Sequence, residues 1–347
     1  MTRLAAVGLL LTGVFGCLPL KVVTEDRLHI EGPVSAEIVP TSNARPVVAM
    51  PVEGGESACK SPHVAIVDVD GLLLNTNLAG PYSSGDNPVD VFREKLDAAA
   101  ADPCAVAVVV RINSPGGSVT ASDVMWHDLQ RFREKTHRPV VACLMDLGTG
   151  GAYYLSTACD LIVAHPTTVT GGIGVVLNLY NLEDAMNVLN IVSQAVKSGD
   201  RIDLGTVTRA LKPEEEALLK EMTNEFYDRF RDAVCRQRRQ VDAADKTTFD
   251  GRVFTASQAL KRGLVDRIGY LDEALDLARE QAGQPQAGAV LLHRSGDVGR
   301  TAYATTPNFP LHVNLFPASL PGLDRNKLPT FLYMWQPDPT LERFSGK

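Results

Sequence analysis

Ala105–Ile112 (AVAVVVRI) is a nearly unbroken run of small and β-branched residues. Such a run, apolar on both alternating faces, suits a central parallel strand covered on each side. It ends in Asn113-Ser-Pro-Gly-Gly117, and a helix is expected near Thr120–Lys135. Further strands are expected at His63–Val69, Pro139–Met145, Leu161–Ala164 and Ile191–Lys197, with helices at Val89–Ala101, Asn181–Leu189, Pro213–Arg239 and Leu271–Gln281. Strand–helix alternation of this kind predicts an α/β fold with right-handed crossovers. On the long helix, Leu219, Met222, Phe226, Phe230 and Val234 form the apolar stripe.

The chemistry-bearing stretch is Asp146–Val175 (DLGTGGAYYLSTACDLIVAHPTTVTGGIGV). Gly148-Thr-Gly-Gly151 permits a sharp turn, and Ala152, Leu155, Ser156 and Cys159 then recur at helical spacing. Strand, tight turn and helix in that order are the context of a nucleophile elbow. Its apex carries no hydroxyl. Backbone donors at Gly116 and Gly117, with Gly151 at a helix start, are candidates for an oxyanion hole. Taken alone, NSPGG reads as merely a tight strand-to-helix turn; the elbow and the downstream motifs favour the site.

The chain opens MTRLAAVGLLLTGVFGC: one Arg, an apolar run too short to span a bilayer comfortably, then Gly16-Cys17. This is expected to be a secretion signal ending in a lipidation site, with Cys17 as the lipidated residue. Residues 1–17 are then the signal peptide, 18–62 a tether with a possible strand at Val34–Val39, and 63–282 the core domain. Residues 283–347 form a linker, a possible strand at Ala289–His293 and a Pro-rich extension. Within that extension Phe331-Leu-Tyr-Met-Trp335 is too apolar for simple disorder and is expected to pack on the core or on another subunit.

With Cys17 lipidated, an odd number of the 6 cysteines is left. Cys143 and Cys159 read as core residues, whereas Cys59 and Cys104 are candidates for a disulfide that sequence alone does not establish. No Cys-x-x-Cys, HExxH or tight His/Asp cluster is present, so neither a metal nor a cofactor is expected. A net charge of -7 without a basic face argues against nucleic acid as partner; Arg236–Arg239 is expected to close the long helix.

Several ordered motifs carry a resemblance. They are Arg111-Ile-Asn-Ser-Pro-Gly-Gly117, Tyr153-Tyr154 with Ser156-Thr-Ala158 and Asp160, Thr170-Gly171 with Ile173-Gly-Val175, Lys197-Ser-Gly199, and Gly251-Arg-Val253 with Gly263-Leu-Val-Asp266 and Gly269. From about His63 to Ala282 the chain resembles the SppA-type signal peptide peptidases of the Clp protease/crotonase superfamily. The resemblance implies a fold of repeated β-β-α units around a parallel sheet, and a peptide groove that includes Ser118, Val119, Gly171, Gly172 and Ile173. It also implies a Ser–Lys dyad, in which a desolvated lysine deprotonates the serine. Here the serine position holds Gly150, the lysine position Ile202, and a supporting serine position Gly172.

The expected function is therefore an exported, lipid-anchored, homo-oligomeric protein of the bacterial envelope. Leu18 would allow sorting to the outer membrane, facing the periplasm. It binds extended peptides or envelope proteins by strand addition and lacks the usual peptidase chemistry. One alternative is an active envelope peptidase with a relocated nucleophile and base, Thr149 and Lys197. Another is a crotonase-like acyl-thioester enzyme, which export disfavours, and a last reading makes the Pro-rich tail an assembly element.

Overall fold

The computed structural model describes residues 46–55, 60–77, 86–295, 301–304 and 331–335. Cys17, Val34–Val39 and Cys59 lie outside the described residues. Strands β1 (Val47–Glu53), β2 (His63–Leu73), β3 (Ala105–Ser118), β4 (Val140–Thr149), β5 (Leu161–Ala164), β9 (Arg267–Ile268) and β10 (Gly288–Arg294) lie side by side in the order β1-β10-β2-β3-β4-β5-β9. The pairings from β10 across to β9 are parallel, and only the β1 edge of this path is antiparallel.

The alternation of side chains along β3 explains why the sheet is covered on both faces. Val108, Val110 and Ile112 join a core with Phe92 and Leu96 of α1 (Pro88–Ala101) and Met125 and Leu129 of α2 (Val119–Thr136). The intervening Ala107 and Val109 pack with Leu271, Ala274, Leu275 and Ala278 of α7 (Leu271–Gln281). Arg111 is the charged residue of this run; it is buried and donates to Ala302 O and, at 2.8 Å, to Ala304 O.

The structure departs from the sequence reading in four places. Asn113-Ser-Pro-Gly-Gly117 is not a turn: β3 runs on to Ser118, because β2 also continues and pairs Leu72 with Gly116 and Leu73 with Gly117. Only glycine allows this, since a Cβ on Gly117 would lie 2.0 Å from the Leu73 carbonyl oxygen. The expected strand at Ile191–Lys197 is an irregular, exposed stretch, with Ile191 50% and Val192 76% exposed. β-branched spacing there finds no neighbouring strand to pair with among the described residues. In α5 (Pro213–Gln237) only the C-terminal half of the apolar stripe, Phe230 and Val234, is buried, and Met222 is exposed. Finally, residues read as the end of a tether form β1, which pairs with β10.

Arg238, expected only to close a helix, is buried at the C-cap of α5 and forks onto Asp266 at 2.7 and 2.8 Å. Cys143 and Cys159 are buried free thiols, and burial pushes the Cys143 thiol up to about 12. Cys104 is also a free thiol.

Candidate functional site

The site forms where β3, β4 and the short α3 (Gly151–Ser156) end against two small strands, β6 (Val169–Gly171) and β7 (Val176–Leu177). Gly148 and Thr149 of β4 pair with Thr170 and Gly171 of β6, and β6 pairs in turn with β8 (Val253–Thr255). At Gly150 the backbone turns into the helix with φ +54° and ψ -122°. That is the conformation of an elbow apex, which glycine adopts without Cβ strain. Gly150 N–H donates to Gly171 O at 2.9 Å, and Tyr154 N–H to Gly150 O at 2.9 Å, so the turn is held at both ends.

Across this turn lies a strand from the far C-terminal part of the chain, β11 (Phe331–Met334). It pairs antiparallel with β3 through Leu332 with Ser118, Tyr333 with Gly117 and Met334 with Gly116. On its other side Phe331 and Leu332 pair with Leu177 and Val176 of β7. Trp335 N–H then donates to Pro115 O at 3.2 Å. An extended peptide thus runs between two strand edges, satisfying backbone groups that an empty groove would leave to water.

The three glycines of the elbow and the expected oxyanion hole converge on one atom of this peptide. A Cβ on Gly116 would lie 2.1 Å from the Tyr333 carbonyl oxygen, one on Gly150 2.4 Å, and one on Gly151 3.3 Å. The Gly150 position is also 2.7 Å from the Tyr333 carbonyl carbon. The Tyr333–Met334 peptide bond therefore lies against the apex as a bond to be attacked would lie. The apex has no oxygen to attack it.

The individual donors differ. Gly116 N–H is turned to the Ser114 hydroxyl at 3.1 Å, within β3 itself. Ser114 is buried and holds the bend rather than facing the peptide. Gly117 and Gly151 flank the Tyr333 carbonyl, Gly117 through the β3–β11 ladder and Gly151 at the start of α3. Ser118 caps α2 by accepting from Ala121 N–H, Val119 begins that helix, and Ile173 is buried in the core beside Gly172.

Thr149, next to the apex, is fully buried, and its Oγ1 has no hydrogen-bond partner. Its Cβ lies 3.6 Å from where a Cβ on Gly172 would stand. Lys197 is on the irregular stretch and forms an ion pair with Asp203. Asp203 and Glu215 clamp Arg209 between them, at 3.0 and 2.6 Å. Hydrogen bonds from Arg209 and Lys197 hold the Asp203 carboxyl well below its usual range. Lys197 thus shares its acidic partner with Arg209. Ile202 is exposed on the same stretch.

Among the described residues no group of His, Cys, Asp and Glu is placed to hold a metal ion, and no helix is long and apolar enough to cross a membrane. The sequence reading missed one functional element, the occupied groove. Its signal was present in two separate features: an apolar segment in a Pro-rich tail, and strand edges open to a peptide.

Part of the chain is similar to known proteins. Residues 132–284 match the family described as "Peptidase family S49". The chain is 32% identical over 233 residues to "Serine protease SPPA, chloroplastic" of Arabidopsis thaliana, covering 66% of this chain and 34% of that protein. It is 36% identical over 177 residues to "Putative protease slr0021" of Synechocystis, covering 51% and 63%. To "Protease 4" of Salmonella typhi it is 31% identical over 219 residues, covering 63% and 34%. The chain therefore spans between about a third and two thirds of the length of these relatives.

Proposed function

From the premise that this chain belongs to peptidase family S49, the family of the SppA and protease 4 relatives, we propose that it is a peptide-binding member without Ser–Lys peptidase activity. The observation that carries the reading is the peptide seated on the elbow. The groove aligns a carbonyl with Gly116, Gly150 and Gly151, yet the atom facing that carbonyl from the apex is a glycine Cα. Donors can stabilise an oxyanion only after a nucleophile has created one. At Ile202 a hydrocarbon stands in the position that the resemblance gives to the base. Losing nucleophile and base together removes nearly all the rate, leaving what binding and the hole supply.

Export and a lipid anchor at Cys17 belong to the same proposal, supported by the charged start, short apolar run and Gly16-Cys17 junction. So does a homo-oligomer in the bacterial envelope. Val188, Leu189, Ile191, Val192, Val196 and Ile202 form an exposed apolar stretch of a kind that monomers rarely leave open.

One observation favours a second reading. The buried, unpartnered Thr149 hydroxyl adjoins the elbow, as a relocated nucleophile would. It lacks a base: Lys197, the candidate, is paired with Asp203. The test is intact-mass analysis of the purified protein after treatment with a serine-directed fluorophosphonate. No adduct is expected, and a stoichiometric adduct on Thr149 would replace the first reading by the second.

A further inference from the structure

The peptide seated in the groove is held by one side chain far more than by the others. Tyr333 is 0% exposed. Its ring packs at 5.4 Å from Tyr154 and 4.8 Å from Phe230, which are themselves 5.2 Å apart and edge-on. Trp126 backs Tyr154 at 5.5 Å. At the far end of this aromatic box the Tyr333 hydroxyl donates to Phe226 O at 2.5 Å. Burial pushes the Tyr333 phenol pKa upward, which keeps it a donor. Phe331 makes a second, shallower contact, 4.9 Å edge-to-face with Phe226.

A box with one polar atom at its end distinguishes residues by that atom. Phenylalanine would fill the space and leave the hydroxyl's place against Phe226 O empty. Leucine or methionine would leave a void, and a charged residue would be desolvated against aromatic rings, with the nearby Asp123 and Arg229 already paired to each other. Three elements, α2, α3 and α5, build the box, and Tyr154 and Phe230 belong with Tyr333 to the main hydrophobic cluster.

We propose that this groove is a tyrosine-reading peptide site, and that residues 331–335 of the same chain are its resident ligand. The inference rests on the peptide-binding reading above and specifies its ligand: an extended segment with tyrosine at the residue whose carbonyl meets Gly116, Gly150 and Gly151. A foreign peptide of that kind must displace the resident strand, so the apparent affinity is reduced by the fraction of molecules whose groove is open. Phe331, Leu332, Met334 and Trp335 surround Tyr333 with bulky apolar residues, so the resident segment competes well.

The test uses the full chain and a fluorescein-labelled peptide of residues 330–337, TFLYMWQP. Two further peptides replace its tyrosine by phenylalanine or alanine, and binding is read by anisotropy. Tyr333→Ala is expected to bind the tyrosine peptide at least about tenfold tighter than wild type does, because its own strand no longer competes. On that variant the phenylalanine peptide should bind about fivefold more weakly than the tyrosine peptide, from the lost hydrogen bond. The alanine peptide should be weaker by a hundredfold or more, on the order of a truncated buried aromatic. Equal affinity for the three peptides would overturn the tyrosine-reading site while leaving the peptide groove standing. Failure of every peptide to bind a cooperatively melting Tyr333→Ala would overturn the groove reading itself. Should Tyr333→Ala not fold, hydrogen exchange on wild type decides. Excess tyrosine peptide must deprotect the amides of residues 332–335 and the alanine peptide must not, and any other pattern refutes the proposal.

Discussion

Gly150→Ser restores the hydroxyl that the family resemblance places at the apex, and the geometry says what it does instead of restoring activity. The new Cβ would lie 2.4 Å from Tyr333 O, 2.7 Å from Tyr333 C and 2.9 Å from Met334 Cα. All three are backbone atoms, so no rotamer change relieves the overlap, and β11 must leave. Two costs follow. A non-glycine residue at φ +54° carries strain of about 1–3 kcal/mol, whether or not the strand is docked. Undocking exposes Tyr333, whose burial contributes about 1.5–3 kcal/mol, with a further ~0.5–1.5 kcal/mol from its aromatic partners. The sum is about 3–7.5 kcal/mol in wild type. In a Tyr333→Ala background only the strain of about 1–3 kcal/mol is left, because the docking contact is already lost. Urea unfolding of the four proteins gives the double-mutant cycle, and hydrogen exchange reports residues 331–335 directly. A coupling near zero, with the segment equally protected in Gly150→Ser, would refute the argument that β11 sits on the apex.

Three other expectations follow from separate parts of the molecule. Asp70 is lifted to about 6 by burial and by the neighbouring Asp68, so the folded state holds its proton more tightly than the unfolded chain does. Its stabilising contribution is complete below the unfolded value near 3.8 and is lost as pH rises through about 6. Asp70→Asn should flatten that part of the Tm–pH curve; an unchanged slope between these values would contradict it. Val192→Asp with Val196→Asp, on the exposed stretch, should shift the assembly to smaller species by light scattering, and an unchanged mass would remove that stretch from the interface. Cys17→Ser should release the protein from the membrane fraction; unchanged fractionation with an unmodified N-terminus would end the lipoprotein reading.

Much of the fold was legible because it is written in short-range patterns. The β-branched run of β3, the apolar spacing of α2 and the Pro213 start of α5 each name their element without reference to distant residues. What was not legible depended on partners. NSPGG looks like a turn until Leu72 and Leu73 are known to lie beside Gly116 and Gly117. Val192 and Val196 look like strand residues, but a strand needs an edge to pair with, and this stretch has none among the described residues. At the site, the family resemblance picks out Gly150 and Gly172 as its serine positions, whereas it gives no sign of the resident peptide. The pairing of Tyr333 with Gly117 joins residues remote in sequence, and no local pattern in either segment specifies the other. Gly150, by contrast, shows its purpose only once its neighbour is in place: it is the position where a side chain would collide with a bound peptide's carbonyl.

The most direct measurement is peptide cleavage by the wild-type full chain and by Thr149→Val, using a peptide library read by mass spectrometry. The account predicts no cleavage above background by either protein, because Gly150 has no nucleophile and Lys197 is held by Asp203. Robust cleavage by the wild type, abolished in a folded Thr149→Val, would contradict it and establish Thr149 as a relocated nucleophile.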